Sequence, residues 1–296
     1  QDIIEAVAGS ATEAICPALP GTYLVKFQDD GGRFSTTAAS VSLSTVEIVD
    51  EITVKEDRED TDGTPFNGTK SNVTFDNSLG GLKLTNPVSN STGTYDFVDT
   101  LDLGGTFSLS VTRHFQGVGF YTGDQFDNRT ENIDTWTDFD GTIANDANAK
   151  LSVRTSTDMS SYSNFNDVAN GTFKGRGFQF RATLETSDTA QNVNLQQLGY
   201  VATLKSRTEQ SAVIASGSAA KNVTFTNAFF VGTSGLGNLN NFLPAVAINP
   251  QNMATGDYFE VTNISGTGFT VHFKNSSNAS INRNFTFTAV GFGKGG

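Results

Sequence analysis

The sequence predicts an all-β protein, and three observations carry that expectation. Ser, Thr and Asn together supply 90 of the 296 residues, while charged residues make up only 17%. Phe occurs 24 times, beside 30 Gly and 6 Pro. Short alternations of apolar and polar residues recur between Gly- and Asn-rich turn signals. Thr and Phe suit a pleated, half-buried strand, Gly and Asn suit tight turns, and the helix formers Lys and Glu are thin.

Composition also excludes whole classes. A formal net charge of −12 argues against binding nucleic-acid phosphates, which basic patches attract. The single cysteine, Cys16, excludes a disulfide framework within the chain and any multi-thiolate metal site. No apolar run approaches the roughly 18 residues of a spanning helix. The first basic residue is Lys26, so the positively charged start of a signal peptide is missing, and a chain opening on Gln1 is expected to be a fragment or a processed product. The length fits one large domain or two to three small ones.

Residues 21–43 read as a hairpin. Tyr23, Val25 and Phe27 alternate with Leu24 and Lys26, Asp29-Asp30-Gly31-Gly32 supplies the turn, and Ala39, Val41 and Leu43 return. This pair resembles the last two strands of a fibronectin type III module; such a sandwich needs about 100 residues, so 1–45 is expected to be only its end. The acidic stretch 47–62 follows. As a calcium loop it places Asp60, Asp62 and Gly63 correctly but has Arg58 and Thr69 where carboxylates belong. Asp138-Phe139-Asp140-Gly141 fails the same test, with Trp136 and Ala147 at the ends. No metal site or cofactor is expected.

From Val73 to about Thr208, strands recur between turn signals such as Gly80-Gly81, Asn86-Pro87, Gly104-Gly105 and Asp140-Gly141. That spacing predicts a jelly-roll-like β-sandwich over 46–210 rather than βαβ units. Phe107–Phe115, Lys150–Thr155, Gly177–Thr186 and Val193–Leu204 are the clearest strands. In the third, Phe178, Phe180, Ala182 and Leu184 face one way, against Gln179, Arg181, Thr183 and Glu185. Ser206–Ala220 reads as a linker or short helix. A small β module over 211–296 then runs through Asn222–Phe230, a hairpin at Gly256–Phe273 turning at Ser265-Gly266-Thr267-Gly268, and a last strand at Asn284–Phe292.

Motifs for chemistry are sparse. Cys16 with His114 or His272 has no nucleophile context, and the two histidines have no metal-ligand spacing. GTSGLGN at 232–238 lacks the Lys-Ser/Thr of a phosphate loop. Among 31 acids a carboxylate pair about 5–9.5 Å apart is conceivable, which keeps polysaccharide cleavage open. Ten Asn-x-Ser/Thr sequons occur, a number that the composition largely explains. The sole tryptophan, Trp136, lies among loop acids and reads either as an anchor of its own domain or as a contact residue.

Residues 93–210 contain GTYDFVDTLDLGGTFSLSVTRHF, then KLSVRTSTD, then FKGRGFQFRATLETSDTAQNVNLQQLGYVATLKSRTE. This resembles the C-terminal region of phage tail-tip host-specificity proteins, the J-like central fibre proteins of long-tailed phages, in which it follows fibronectin-like modules. Residues 221–296, with GDYFEVTNISGTGFTVHFKN and FTFTAVGFGKGG, are similar to a small β module that ends many phage fibres. The resemblance implies a non-enzymatic homotrimer at the tail tip of a virion. Its implied partners are other tail-tip proteins and a bacterial surface receptor, either an outer-membrane protein or a polysaccharide.

A distal module would make first contact. Within it, 232–242 (GTSGLGNLNNF) is the longest stretch without strand alternation. Its amides can donate and accept hydrogen bonds, so Asn238, Asn240 and Asn241, with Phe242 for apolar area, are the first candidate receptor contacts. Trp136 and Asp138 are the second. The rival readings are a virion-borne or secreted polysaccharide-degrading enzyme, and a structural fibre shaft without receptor contact.

Overall fold

The computed structural model describes residues 21–28, 34–43, 51–60, 65–122, 144–168, 171–239 and 241–293. The chain is all-β: strands dominate, and the one helical turn among the described residues is a 3-10 turn at Ser234–Leu239. Strands β1 (Gly21–Val25) and β2 (Ala39–Leu43) form the expected antiparallel hairpin, with Val25 opposite Ala39. Strand β1 ends at Val25, so Phe27 lies beyond the alternation and is exposed. The turn at 29–32 lies outside the described residues.

The main body is one 13-stranded sheet folded into two layers. Ten of its strands make these layers, and three from the C-terminal part complete the sheet. The ten are β3 (Glu51–Arg58), β4 (Thr69–Ser71), β5 (Val73–Asp76), β6 (Gly81–Leu84), β7 (Thr92–Asp96), β8 (Leu101–Tyr121), β9 (Ala147–Ser156), β10 (Asn166–Asp167), β11 (Gly171–Thr186) and β12 (Gln191–Gln210). One layer runs β4-β7-β11-β9-β10, the other β5-β6-β12-β8 with β3 beside β12. Strand β8 joins them, because Val111 pairs with Gly171 of β11 on one edge and Ala202 of β12 on the other. The chain also changes layer at Asn72, whose φ of 53° breaks β4 from β5 while its side-chain amide donates to the carbonyls of Asn90 and Thr92. A short polar side chain tolerates that left-handed backbone better than most residues do.

The alternation read in β11 explains the interior. Phe178, Phe180, Ala182 and Leu184 are all buried, and Phe180 stacks on Tyr200 of the opposite layer with ring centroids 3.8 Å apart. Phe97 packs against both rings, and Tyr95 and Phe66 extend the cluster. Tyr95 is fully buried, and its hydroxyl donates to the Glu59 carboxylate and accepts from the Gly68 N–H.

The C-terminal part carries β13 (Ile214–Ala215), β14 (Lys221–Thr224), β15 (Ala245–Gln251), β16 (Tyr258–Thr262), β17 (Gly268–Lys274) and β18 (Asn284–Phe292). Strands β14, β17 and β16 form a separate three-stranded sheet, and β16–β17 is the expected hairpin. The last strand has the bounds that its alternation predicts. Residues 206–210, expected within a linker or short helix, are instead the final rungs of β12, paired with β18 from Ser206 opposite Phe292 to Gln210 opposite Thr288. The physical reason is a polar filling for an inward face. Arg207 donates to the Gly293 and Asn227 carbonyls and to Glu209, and its guanidinium lies 3.7 Å from the Phe229 ring centre.

Candidate binding surface

Because Phe178, Phe180, Ala182 and Leu184 point inward, Gln179, Arg181, Thr183 and Glu185 must point outward. Strand register aligns them with the outward residues of β7 and β9. One rung is Thr92–Glu185–Asn148, the next Thr94–Thr183–Lys150, the next Asp96–Arg181–Ser152, and the last Gln179–Arg154. Six residues of strand separate the first rung from the last, a span of about 20 Å. The face is therefore a ladder of hydroxyls, amides and charges on a backbone that two-layer packing keeps rigid.

An open cleft of about 330 Å³ lies at the first rung, lined by Thr92, Asp146, Asn148, Glu185, Thr186 and Ser187. Buried Gln191 orients its acids. The Gln191 amide donates to Asp146 and to Asp188, both at 3.1 Å, while its carbonyl accepts the Asp146 N–H. Ser187 donates to Asp146, and Glu185 lies 3.6 Å from Lys150 Nζ. Each cleft carboxylate thus already has a protein partner.

A cluster of arginines and aromatic rings lies at the other end. Arg181 forms a bidentate pair with Asp96, at 2.6 and 2.9 Å, and its guanidinium sits 4.3 Å from the Phe165 ring centre. Arg154 lies 4.8 Å from the same ring and 5.2 Å from that of Tyr162. Its Nε–H donates to Gln179, whose amide donates in turn to Thr100. Arg176 pairs bidentately with Asp102. These hydrogen bonds from Arg176, opposed by partial burial, hold the Asp102 carboxyl below the usual range.

The 157–165 segment brings both rings to the sheet, and its own sequence explains the path. Asp158 accepts the N–H groups of Ser160 and Ser161 at 2.8 Å each, and these bonds, with the Ser156 hydroxyl, hold its carboxyl far below its ordinary value. Met159 sits at φ 67°, and Ser163 bonds back to Thr155 through both backbone and side chain. Gly177 leaves room beneath. A Cβ there would overlap Met159 Sδ and meet the Tyr162 hydroxyl at 2.9 Å.

Those residues singled out from sequence that the structure describes lie elsewhere. Trp136, Asp138 and Asn240 fall outside the described residues, as does Cys16. Asn238 lies in the 3-10 turn, and Asn241, at φ 67°, is exposed beside it. Phe242 is half-buried, with its ring 5.5 Å from that of Phe292 and its N–H bonded to the Val231 carbonyl. Leu236 and Leu239 of this segment pack on the sandwich core, and Thr233 donates to the Asp102 carbonyl. The segment is thus fastened to the sandwich, and its Leu pair was the sequence signal for that. His272 shares a 2.8 Å hydrogen bond with Ser280, and no cluster of His, Cys, Asp and Glu among the described residues could hold a metal ion. No protein-family model, curated protein or solved structure matches the chain.

Proposed function

We propose that this chain is the receptor-binding part of a phage tail-tip fibre, which attaches the virion to the surface of a bacterial host and performs no catalysis. The observation that carries the reading is the outward face of β7, β11 and β9, where polar and charged side chains project from fixed rungs. Such a face suits recognition of an exposed ligand, because specificity varies at the surface while the packed layers stay constant. The resemblance of 93–210 and 221–296 to tail-tip proteins supports the same reading, and the homotrimer belongs to it. Strand β16 ends its sheet with Tyr258 and Phe259 exposed, an apolar edge that a neighbouring copy would cover.

The enzymatic alternative draws on Asp146 and Glu185, which line one cleft. Their existing partners favour binding over turnover. The test is competition: the purified protein, three chains by mass in solution, is expected to block adsorption of the phage that carries it. It should release no new reducing ends from host polysaccharide. Release that disappears in Glu185→Gln would replace this reading with the enzymatic one, and undiminished adsorption at saturating protein would leave a structural shaft.

A further inference from the structure

Of the seven described arginines, Arg58, Arg176, Arg181, Arg207 and Arg283 each pair with a carboxylate. Arg113 and Arg154 have no carboxylate partner among the described residues. Arg113 lies over one ring, that of Phe115. Arg154 lies over two, is half-buried, and commits only its Nε–H to a protein acceptor among the described residues. A guanidinium flanked by two rings, whose remaining N–H groups meet no acceptor among the described residues, is pre-organised for a bidentate oxyanion. The two rings stabilise the cation but neutralise none of its charge, and a ligand anion supplies that partner.

The opposite end of the same face has different chemistry. The cleft offers hydroxyls and an amide from Thr92, Ser187 and Asn148, with Asp146 and Glu185 as acceptors, while the Thr186 hydroxyl is committed to Asp188. Those groups suit sugar hydroxyls, which donate and accept, and they repel an anion. A ligand laid along the rungs therefore needs an acidic group at the Arg154 end and neutral sugar at the cleft end. We propose that this face binds an extended saccharide of sparse charge, with the carboxylate or phosphate of one acidic residue held by Arg154. The proposal rests on the receptor-binding reading given above and names its ligand class.

Hyaluronan oligosaccharides, in which acidic and neutral sugars alternate, are a fitting probe for calorimetric titration of the intact protein. Their carboxyl-methyl esters, a chitin oligomer of equal length and glucose 1-phosphate complete the set. The acidic oligosaccharide is expected to bind at least about tenfold more tightly than its ester or the chitin oligomer. Arg154→Ala should remove that preference, while Arg283→Ala, paired with Asp257 in the C-terminal part, should keep it. Glucose 1-phosphate binding, lost in Arg154→Ala, in place of the uronate would keep the site and assign phosphate as the anion. The proposal is overturned if no charged probe outbinds the chitin oligomer, or if Arg154→Ala with an unchanged circular dichroism spectrum binds as the parent does. Adsorption competition separates the two readings. Competition by the parent without saccharide binding sinks this site alone, whereas saccharide binding without competition sinks the phage reading alone.

Discussion

The two hydrophobic cores differ in kind. The sandwich core mixes aliphatic and aromatic side chains drawn from strands far apart in sequence, with Leu82, Leu84, Leu109, Leu195 and Tyr200 all fully buried. The C-terminal core is smaller, and six of its nine buried members are phenylalanine: Phe225, Phe229, Phe269, Phe273, Phe285 and Phe287. A few large rings bury much surface per residue but leave little redundancy. The small module has a second support, since β18 pairs with the tail of β12. Size therefore sets which part tolerates damage.

Equal truncations should expose that asymmetry most strongly. Phe180→Ala and Phe273→Ala each remove a buried ring, at a cost of about 3–5 kcal/mol. Phe273→Ala is expected to melt the C-terminal module while the sandwich persists, giving two transitions in calorimetry. Phe180→Ala should give one, because loss of the sandwich also removes β12. A single shared transition in both variants would break the distinction.

The junction should show the next largest effect. Arg207→Ala leaves Glu209 without its cation, for a cost of roughly 3 kcal/mol. Burial alone would raise the Glu209 pKa, but the Thr226 N–H and the Arg207 guanidinium outweigh it and hold the carboxyl below the ordinary glutamate value. A carboxyl with a depressed folded pKa stabilises above its unfolded pKa, near 4.3, and loses that contribution as pH falls through the folded value. The stability difference between parent and Arg207→Ala should thus be full at neutral pH and shrink in acid. A pH-independent difference would show that the stack on Phe229, not the charge, carries the junction.

Gly177→Ala should have the smallest effect on stability, within about 1 kcal/mol, because the atoms in the way are the mobile tips of Met159 and Tyr162. Its consequence is local. The Tyr162 ring should leave Arg154, seen as a shift of the tyrosine ring resonances at an unchanged melting temperature. Unmoved resonances would mean that the turn at 156–163 adapts without its ring.

Legibility followed apolar alternation. Strands β11 and β18 could be read where period-two burial survives, over Phe178–Thr186 in the first and along the whole of the second. The end of β12 could not, since Arg207 and Glu209 stand where an apolar residue would signal an inward face. Glycine and asparagine made 232–242 look like a loop, while Leu236 and Leu239 fastened it to the sandwich. The rung face was half legible. Its outward residues were named, but read alone they resemble any solvated strand. The return of Phe165 and Tyr162 over Arg154, which depends on the Asp158 turn, creates the cluster.

Strand β12 is 20 residues of unbroken backbone. Its earlier part is laddered to β8 and β3 in the sandwich, and its last five residues are laddered to β18. A pull on the C-terminal module therefore meets no hinge at this point. The load enters β18, crosses to β12 along hydrogen bonds that share it in shear, and reaches the sandwich through covalent chain. Along that path the two parts behave as a beam with a built-in joint, and a tug at one is felt as displacement at the other.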